Sequence, residues 1–307
     1  MLKILSLMII ALFLITACET QKQNIPSEPE TTTEAELVNN TNSTNETEVI
    51  IVEAKPVIVF TPRNENLTMY VLDIEGNAII FQYKNKAILV DAGSEIDSPK
   101  VLKAIRDLGI EKLDYIFATN TKPKNIGGMP YLILRTTPSN IVENGIPSTY
   151  KSYKEYKELY NETIIIKNDQ VFNMGDFAIK VLIGYDDGYG FSPNLDDNSL
   201  IIKVTYGNAN FLLMSDCSLD CEEKIKNDGV NAEVIKISNS CDATSLAFLQ
   251  RVNPTWAIVS GKHDNFCPNV IDKFNNLNIP VFITQDKGNI FVTTDGLDFK
   301  IDWNKDG

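Results

Sequence analysis

From Thr119 to Gly128 the chain reads Thr119-Asn120-Thr121-Lys122-Pro123-Lys124-Asn125-Ile126-Gly127-Gly128, a loop of amides, hydroxyls and two ammonium groups. A zinc or manganese site needs lone pairs from imidazole, thiolate or carboxylate, and an ammonium offers only donors. Two lysines in one short loop repel a divalent cation. The single histidine of the chain, His263, cannot supply a site built from several imidazoles, and it reads as an exposed loop residue. Five cysteines are present: Cys18 near the start, then Cys217, Cys221, Cys241 and Cys267.

The elements around the loop are legible from hydrophobic period. Ala87-Ile88-Leu89-Val90 reads as a buried strand ending at an acid and a tight turn, Asp91-Ala92-Gly93. Lys100 to Gly109 reads as an amphipathic helix and Leu113 to Ala118 as a second buried strand leading into the loop. Upstream, Val57 to Phe60, Thr68 to Ile74, Ala78 to Tyr83 and Lys86 to Val90 form a run of strands, with turns at Glu75-Gly76-Asn77 and Lys84-Asn85. Val281 to Thr284, Asn289 to Thr293 and Phe299 to Trp303 are the closing strands. No second linker interrupts residues 56–303, so about 250 residues form one large α/β domain with a sizeable core, followed by a short tail, 304–307.

This order of strand, acid, helix, strand and polar loop resembles the metallo-β-lactamase superfamily, most closely the soluble hydrolase domain of the ComEC competence proteins. That family writes a strand ending in Asp-Thr-Gly, a helix, and a strand ending in T-H-x-H-x-D-H-x-G-G. Asn120, Lys122 and Asn125 stand where its three histidines belong, and Lys124 where its aspartate belongs. Asp197-Asn198-Ser199-Leu200 matches its N-N-S-L strand, and Phe211-Leu212-Leu213-Met214-Ser215-Asp216-Cys217 its F-L-L-T-G-D-A. Val234 to Cys241 covers L-K-V-G-H-H-G-S, and Trp256 to Pro268 covers A-I-I-S followed by G-H-P, with Cys267 at the histidine. The resemblance spans about 230 residues and implies a four-layer αββα sandwich. It also implies a centre for two divalent metal ions, whose ligands are replaced here, so no cofactor and no catalytic residue is expected.

Within that resemblance Asp91 and Asp216 are retained pocket acids, and Asp216 stands at a metal-bridging position. Lys122 or Lys124 then supplies the positive charge a metal would bring, or the lysines face solvent and backbone amides satisfy the acids. Cys217, Cys221, Cys241 and Cys267 all fall in segments that line the family's metal pocket. Disulfides Cys241–Cys267 and Cys217–Cys221 are the expected pairing of the three possible, the second flanking a turn into a helix from Glu222 to Lys226. The other outcome is a thiolate zinc site, with Asp216 as a further ligand. The acidic stretch from Asp186-Asp187-Gly188 to Asp196-Asp197 lacks the ligand spacing of a calcium loop and reads as a solvated rim.

The start of the chain sets the expected address. Met1 to Ala17 has one early lysine, Lys3, and an apolar run from Ile4 to Ile15, too short for a permanent span. Ile15-Thr16-Ala17-Cys18 looks like a lipoprotein signal with Cys18 as the lipidated residue; a plain signal peptide or uncleaved anchor is the other reading. Residues 18–55 are rich in Thr, Asn, Glu and Pro and form a disordered tether. Acceptor triplets for glycosylation occur at Asn39, Asn42, Asn45, Asn66 and Asn161.

The formal net charge is -13, and the tether alone carries eight glutamates against two lysines, so the domain is also acidic. Such a surface repels a polyanion, and nucleic acid is not the expected partner. The sequence thus points to an extracytoplasmic, membrane-anchored binding or scaffold module for a small molecule or protein. An active metallo-hydrolase of nuclease or phosphodiesterase type with an unusual site is the rival.

Overall fold

The computed structural model describes residues 65–184, 192–225, 229–240, 243–261 and 268–305. All belong to the second of the chain's two units, Phe60–Gly307. Cys18, the expected strand Val57 to Phe60, Asp186, Asp187 and Gly188, Cys241, His263 and Cys267 lie outside the described residues.

The first half of the unit opens with strands β1 (Leu67–Val71), β2 (Ile79–Tyr83) and β3 (Lys86–Val90), followed by helix α1 (Ser98–Asp107) and β4 (Tyr115–Ala118). Helices α2 (Pro123–Ile126) and α3 (Met129–Thr136), β5 (Ile141–Glu143), α4 (Lys151–Leu159) and β6 (Ile164–Ile165) complete that half. The second half holds β7 (Val171–Asn173), β8 (Phe177–Ile183), β9 (Ile201–Tyr206), β10 (Ala209–Leu213), α5 (Leu219–Lys224) and β11 (Val234–Lys236). It continues with α6 (Leu246–Val252), β12 (Trp256–Val259), α7 (Pro268–Asn276), β13 (Val281–Ile283), α8 (Thr284–Lys287), β14 (Asn289–Thr294) and β15 (Phe299–Asn304).

Two mixed sheets result, of eight strands in the order β15-β14-β1-β2-β3-β4-β5-β6 and seven in the order β13-β12-β11-β10-β9-β8-β7. Each begins as antiparallel hairpins and ends as a parallel run: β3 to β6 in one, β10 to β13 in the other. Parallel strands are covered on both faces, which is why Ile88-Leu89-Val90 and Ile116-Phe117-Ala118 are continuously apolar, whereas β8 alternates buried and half-buried residues.

The inner faces meet in one core, where Phe81 and Phe211 pack edge to face with centroids 5.5 Å apart. Behind the first sheet Leu89 and Ile116 pack on Val101, Ile105 and Leu132 of α1 and α3; behind the second Leu212 and Ile235 pack on Phe248 and Phe274 of α6 and α7. The layers are therefore helix, sheet, sheet, helix, as expected.

Several boundaries move. The strand expected over Thr68 to Ile74 stops at Val71, because residues 72–78 leave the sheet as a long connection instead of a tight turn. α1 ends at Asp107, and Gly109 takes φ 64 just beyond it. α5 starts at Leu219 rather than Glu222, its cap Ser218 accepting from the Cys221 N–H. Lys226 lies outside the described residues. Thr284 begins α8 instead of ending a strand, and β15 runs to Asn304, one residue into the expected tail.

Candidate functional site

The carboxyl ends of the parallel strands from both sheets converge, and open α/β sheets place their sites at such ends. From the first sheet come Asp91 after β3, Thr119 and Asn120 after β4, and Asn77 on the long β1–β2 connection. From the second come Ser215 and Asp216 after β10, Lys236 at the end of β11, Asn239 beyond it, and Ser260 after β12. Backbone bonds lock the polar loop into place: Ala92 N–H to Asn125 O at 2.6 Å, Asn77 N–H to Lys124 O at 2.9 Å, and Gly128 N–H to Gly93 O at 3.0 Å. A Cβ on Gly128 would stand 2.2 Å from the Ala92 oxygen, and one on Gly76 2.2 Å from the Lys124 oxygen. The Gly127-Gly128 pair is thus required by close backbone approach.

Asp216 is the hub. Its Oδ1 accepts from Asn77 Nδ2 at 3.1 Å and Asn239 Nδ2 at 3.3 Å; its Oδ2 accepts from Asn120 Nδ2 at 3.2 Å, with Lys122 Nζ at 3.6 Å. Lys122 also pairs with Asp196. Burial works against the Lys122 ammonium, but these two carboxylates outweigh it and hold its pKa above the ordinary value. Asp91, fully buried, accepts from the Thr119 N–H at 2.8 Å, Thr119 Oγ1 at 2.7 Å and Asn125 Nδ2 at 2.9 Å. Burial lifts its pKa to about 7 against those bonds, and the Asp216 charge adds to the rise.

A second cation completes the set. Lys236, 1% exposed, donates to Asn77 Oδ1 at 3.1 Å and Asn239 Oδ1 at 3.3 Å. Burial lowers its pKa to about 8, while Asp216 and Asp91 oppose the shift. Asn239 Nδ2 and Ser260 Oγ also reach Asn77 Oδ1, at 2.9 and 3.0 Å. Asp91 and Ser215 sit at φ 60 and φ 48, in left-handed backbone, and the contact of Thr119 Oγ1 with Ser215 Oγ at 2.5 Å pins the second of these. Above the network opens a cleft of about 490 Å³, edged by Lys122, Lys124 and Tyr150.

Two divalent ions are what the resemblance implies here, and the donor set does not fit them. The atoms turned on Asp216 are amide N–H groups and an ammonium, and those on Asp91 an amide, a hydroxyl and a backbone N–H. Most of the lone pairs of the two acids are thus already engaged by donors with which a cation would have to compete. Of the buried oxygens at the site without a hydrogen bond, Asn125 Oδ1 and Thr121 Oγ1 are neutral and Asp196 Oδ1 is ion-paired with Lys122, which is not a coordination set. Among the described residues no three or more His, Cys, Asp or Glu side chains are grouped as a metal site.

Of the residues singled out in the sequence, Asp91, Asp216, Asn120, Asn125 and Lys122 come together, and Lys124 stands exposed at the cleft rim. Between the two readings of the acids, Lys122 does supply positive charge to Asp216, and a backbone amide serves Asp91 in part. Cys217 and Cys221 form a disulfide with Cα atoms 5.4 Å apart, which removes them from the alternative thiolate zinc site. Asp197 is a buried acceptor of Ser192 and Asn194 side chains in a turn from Leu195 to Asn198. It is not a solvated rim acid, whereas Asp196 is partly exposed and paired with Lys122 at the cleft edge. Sequence reasoning missed Asn77, Lys236, Asn239 and Ser260. A lysine inside the otherwise apolar Val234-Ile235-Lys236-Ile237 was the one available signal.

No known family profile matches the chain, and no curated protein does. Among solved structures it is similar to the metallo-β-lactamase fold protein YhfI from Bacillus subtilis, with 15% identity, 75% of this chain and 100% of that one covered, and a TM-score of 0.48. A putative metal-dependent hydrolase from Parabacteroides distasonis gives 15% identity, 71% and 93% coverage and a TM-score of 0.49. A diphosphatase from the PhnP family gives 12%, 75%, 98% and 0.44. Likeness at this level concerns the course of the chain, and none of those proteins' activities passes to this one.

Proposed function

We propose that this protein is an exported, lipid-anchored relative of the ComEC hydrolase domain that works without a metal ion, as a binding or scaffold module at the cell surface or periplasmic face. The observation that carries this reading is the saturation of Asp216 by Asn77, Asn120, Asn239 and Lys122. A carboxylate needed by a cation is instead the centre of a self-satisfied network joining the two sheets. The rival, a metallo-hydrolase with an unusual site, draws on the same two acids, Asp91 and Asp216, but requires an ion to compete with an ammonium and four side-chain amides for them.

The partner in this reading is the membrane, through acylated Cys18, together with a small molecule or protein. Nucleic acid is disfavoured by the acidic composition and by the pairing of Lys122 with Asp196 and Asp216. Elemental analysis of the purified protein, alongside assays with β-lactam, phosphodiester and nucleic-acid substrates, tests the reading. No stoichiometric zinc, manganese or iron and no turnover are expected. One or two tightly held ions per chain would overturn it. Cys18→Ser is expected to release the protein from the membrane fraction or block its processing, and unchanged retention with normal processing would refute the anchor.

A further inference from the structure

On the outer face of the first sheet, α1 covers β2 and β3 but leaves the neighbouring surface of β1 and β14 open. A cavity of about 370 Å³ lies there, between α1 and the ends of β14 and β15. Its floor is apolar: Tyr70 and Phe291, paired in register across β1 and β14, meet edge to face with centroids 5.4 Å apart, and Leu72 and Leu108 close the sides. Its rim is charged. Lys100, Lys103, Ala104 and Asp107 fall at positions i, i+3, i+4 and i+7 of α1, so one helix stripe faces the cavity, and Lys305 stands opposite.

The charges nearly cancel. Lys103 pairs with Asp107 at 2.5 Å, and Lys100 acts on Asp73 in the cavity wall. Asp73 is half-buried, and burial raises its pKa against the pull of Lys100 and a bond with Thr284. Among the described residues that line the cavity, three lysines face two aspartates, and Lys305 is the lysine with no carboxylate partner among them. A volume of this size is that of a small-ligand site, and half-exposed rings in a concave wall gain from being covered.

We infer that this cavity is a binding site for a small organic monoanion with a flat, apolar body of one or two rings, seated on Tyr70 and Phe291 with its anionic group toward Lys305. The site lies apart from the cleft over Asp216 and does not depend on how that cleft is used. Isothermal titration of the purified full chain with 2-naphthoate and with 2-naphthylmethylammonium, the same body bearing opposite charges, tests the inference. One naphthoate per chain is expected, bound at least about tenfold more tightly than the amine. Lys305→Glu, at an exposed position past the end of β15, is expected to weaken naphthoate binding about tenfold without touching the core. Phe291→Ala is expected to weaken both probes. Equal affinity for the two probes, no saturable naphthoate binding, or naphthoate binding unchanged by Lys305→Glu would each overturn the assignment.

Discussion

The ammonium of Lys236, at the end of β11 in the second sheet, donates to Asn77 Oδ1 at 3.1 Å, and Asn77 belongs to a loop of the first sheet. The side-chain Nδ2–H of Asn77 donates to Asp216 at 3.1 Å, so one side-chain amide links a buried positive charge to a buried negative one across the sandwich.

Replacing Lys236 by Met keeps the length of the side chain and removes the charge. Asp216 then keeps Lys122 as its ion partner while Asp91 loses the nearby Lys236 charge, and breaking such a network by removing one partner costs about 3 kcal/mol or more. Urea denaturation at pH 7 measures the loss. An unchanged midpoint with an unchanged slope would show that Lys236 does not compensate the acids.

Two shifted groups set an unusual pH dependence. Asp91 has a folded pKa of about 7 against an ordinary 3.8, so its contribution to stability is complete below 3.8 and lost as pH rises through 7. Lys236, lowered from 10.5 to about 8, contributes above 10.5 and loses that contribution as pH falls through 8. Together they place a minimum in the melting temperature between these two folded values. Asp91→Asn is expected to flatten the limb below pH 7 and leave the alkaline limb in place. A variant profile with the same acidic limb would assign it to other groups.

Gly128→Ala and Gly109→Ala separate crowding from backbone conformation. The first drives a methyl to 2.2 Å from the Ala92 carbonyl oxygen, while the second adds one at φ 64 with nothing within 4 Å. Gly109→Ala is expected to cost about 1 kcal/mol, and Gly128→Ala about 3 kcal/mol or the fold itself. Equal losses in chemical denaturation would contradict the locked loop.

Cys241 and Cys267 lie outside the described residues, and a bridge between them is the pairing expected from the sequence. Lys273 of α7 donates to the Ala243 and Thr244 carbonyls at 3.3 and 3.1 Å, tying the helix after Cys267 to the segment after Cys241. Closing a loop of about 26 residues stabilises by roughly 3 kcal/mol. A non-reduced digest should yield the joined peptides, and alkylation of both as free thiols would sink the pairing.

Much of this protein is legible in its sequence by itself. Period and turn chemistry locate β2, β3, β4, β14 and α1 to within a few residues, because those signals are local and repeat every two or 3.6 positions. The residue types of the loop from Thr119 to Gly128 already show that it offers no imidazole, thiolate or carboxylate to a zinc or manganese ion, since lone pairs are a property of the side chain and not of its placement. Only the tertiary structure decided what faces Asp216. Asn77 is 139 residues from it and 159 from Lys236, and the segment holding Asn77 has the composition of an ordinary hairpin turn. A lysine in a strand looks like a solvent-facing residue until the packing of two sheets removes the solvent. Partner choice in a buried polar network depends on which atoms the fold brings within about 3 Å, and no local period encodes that distance.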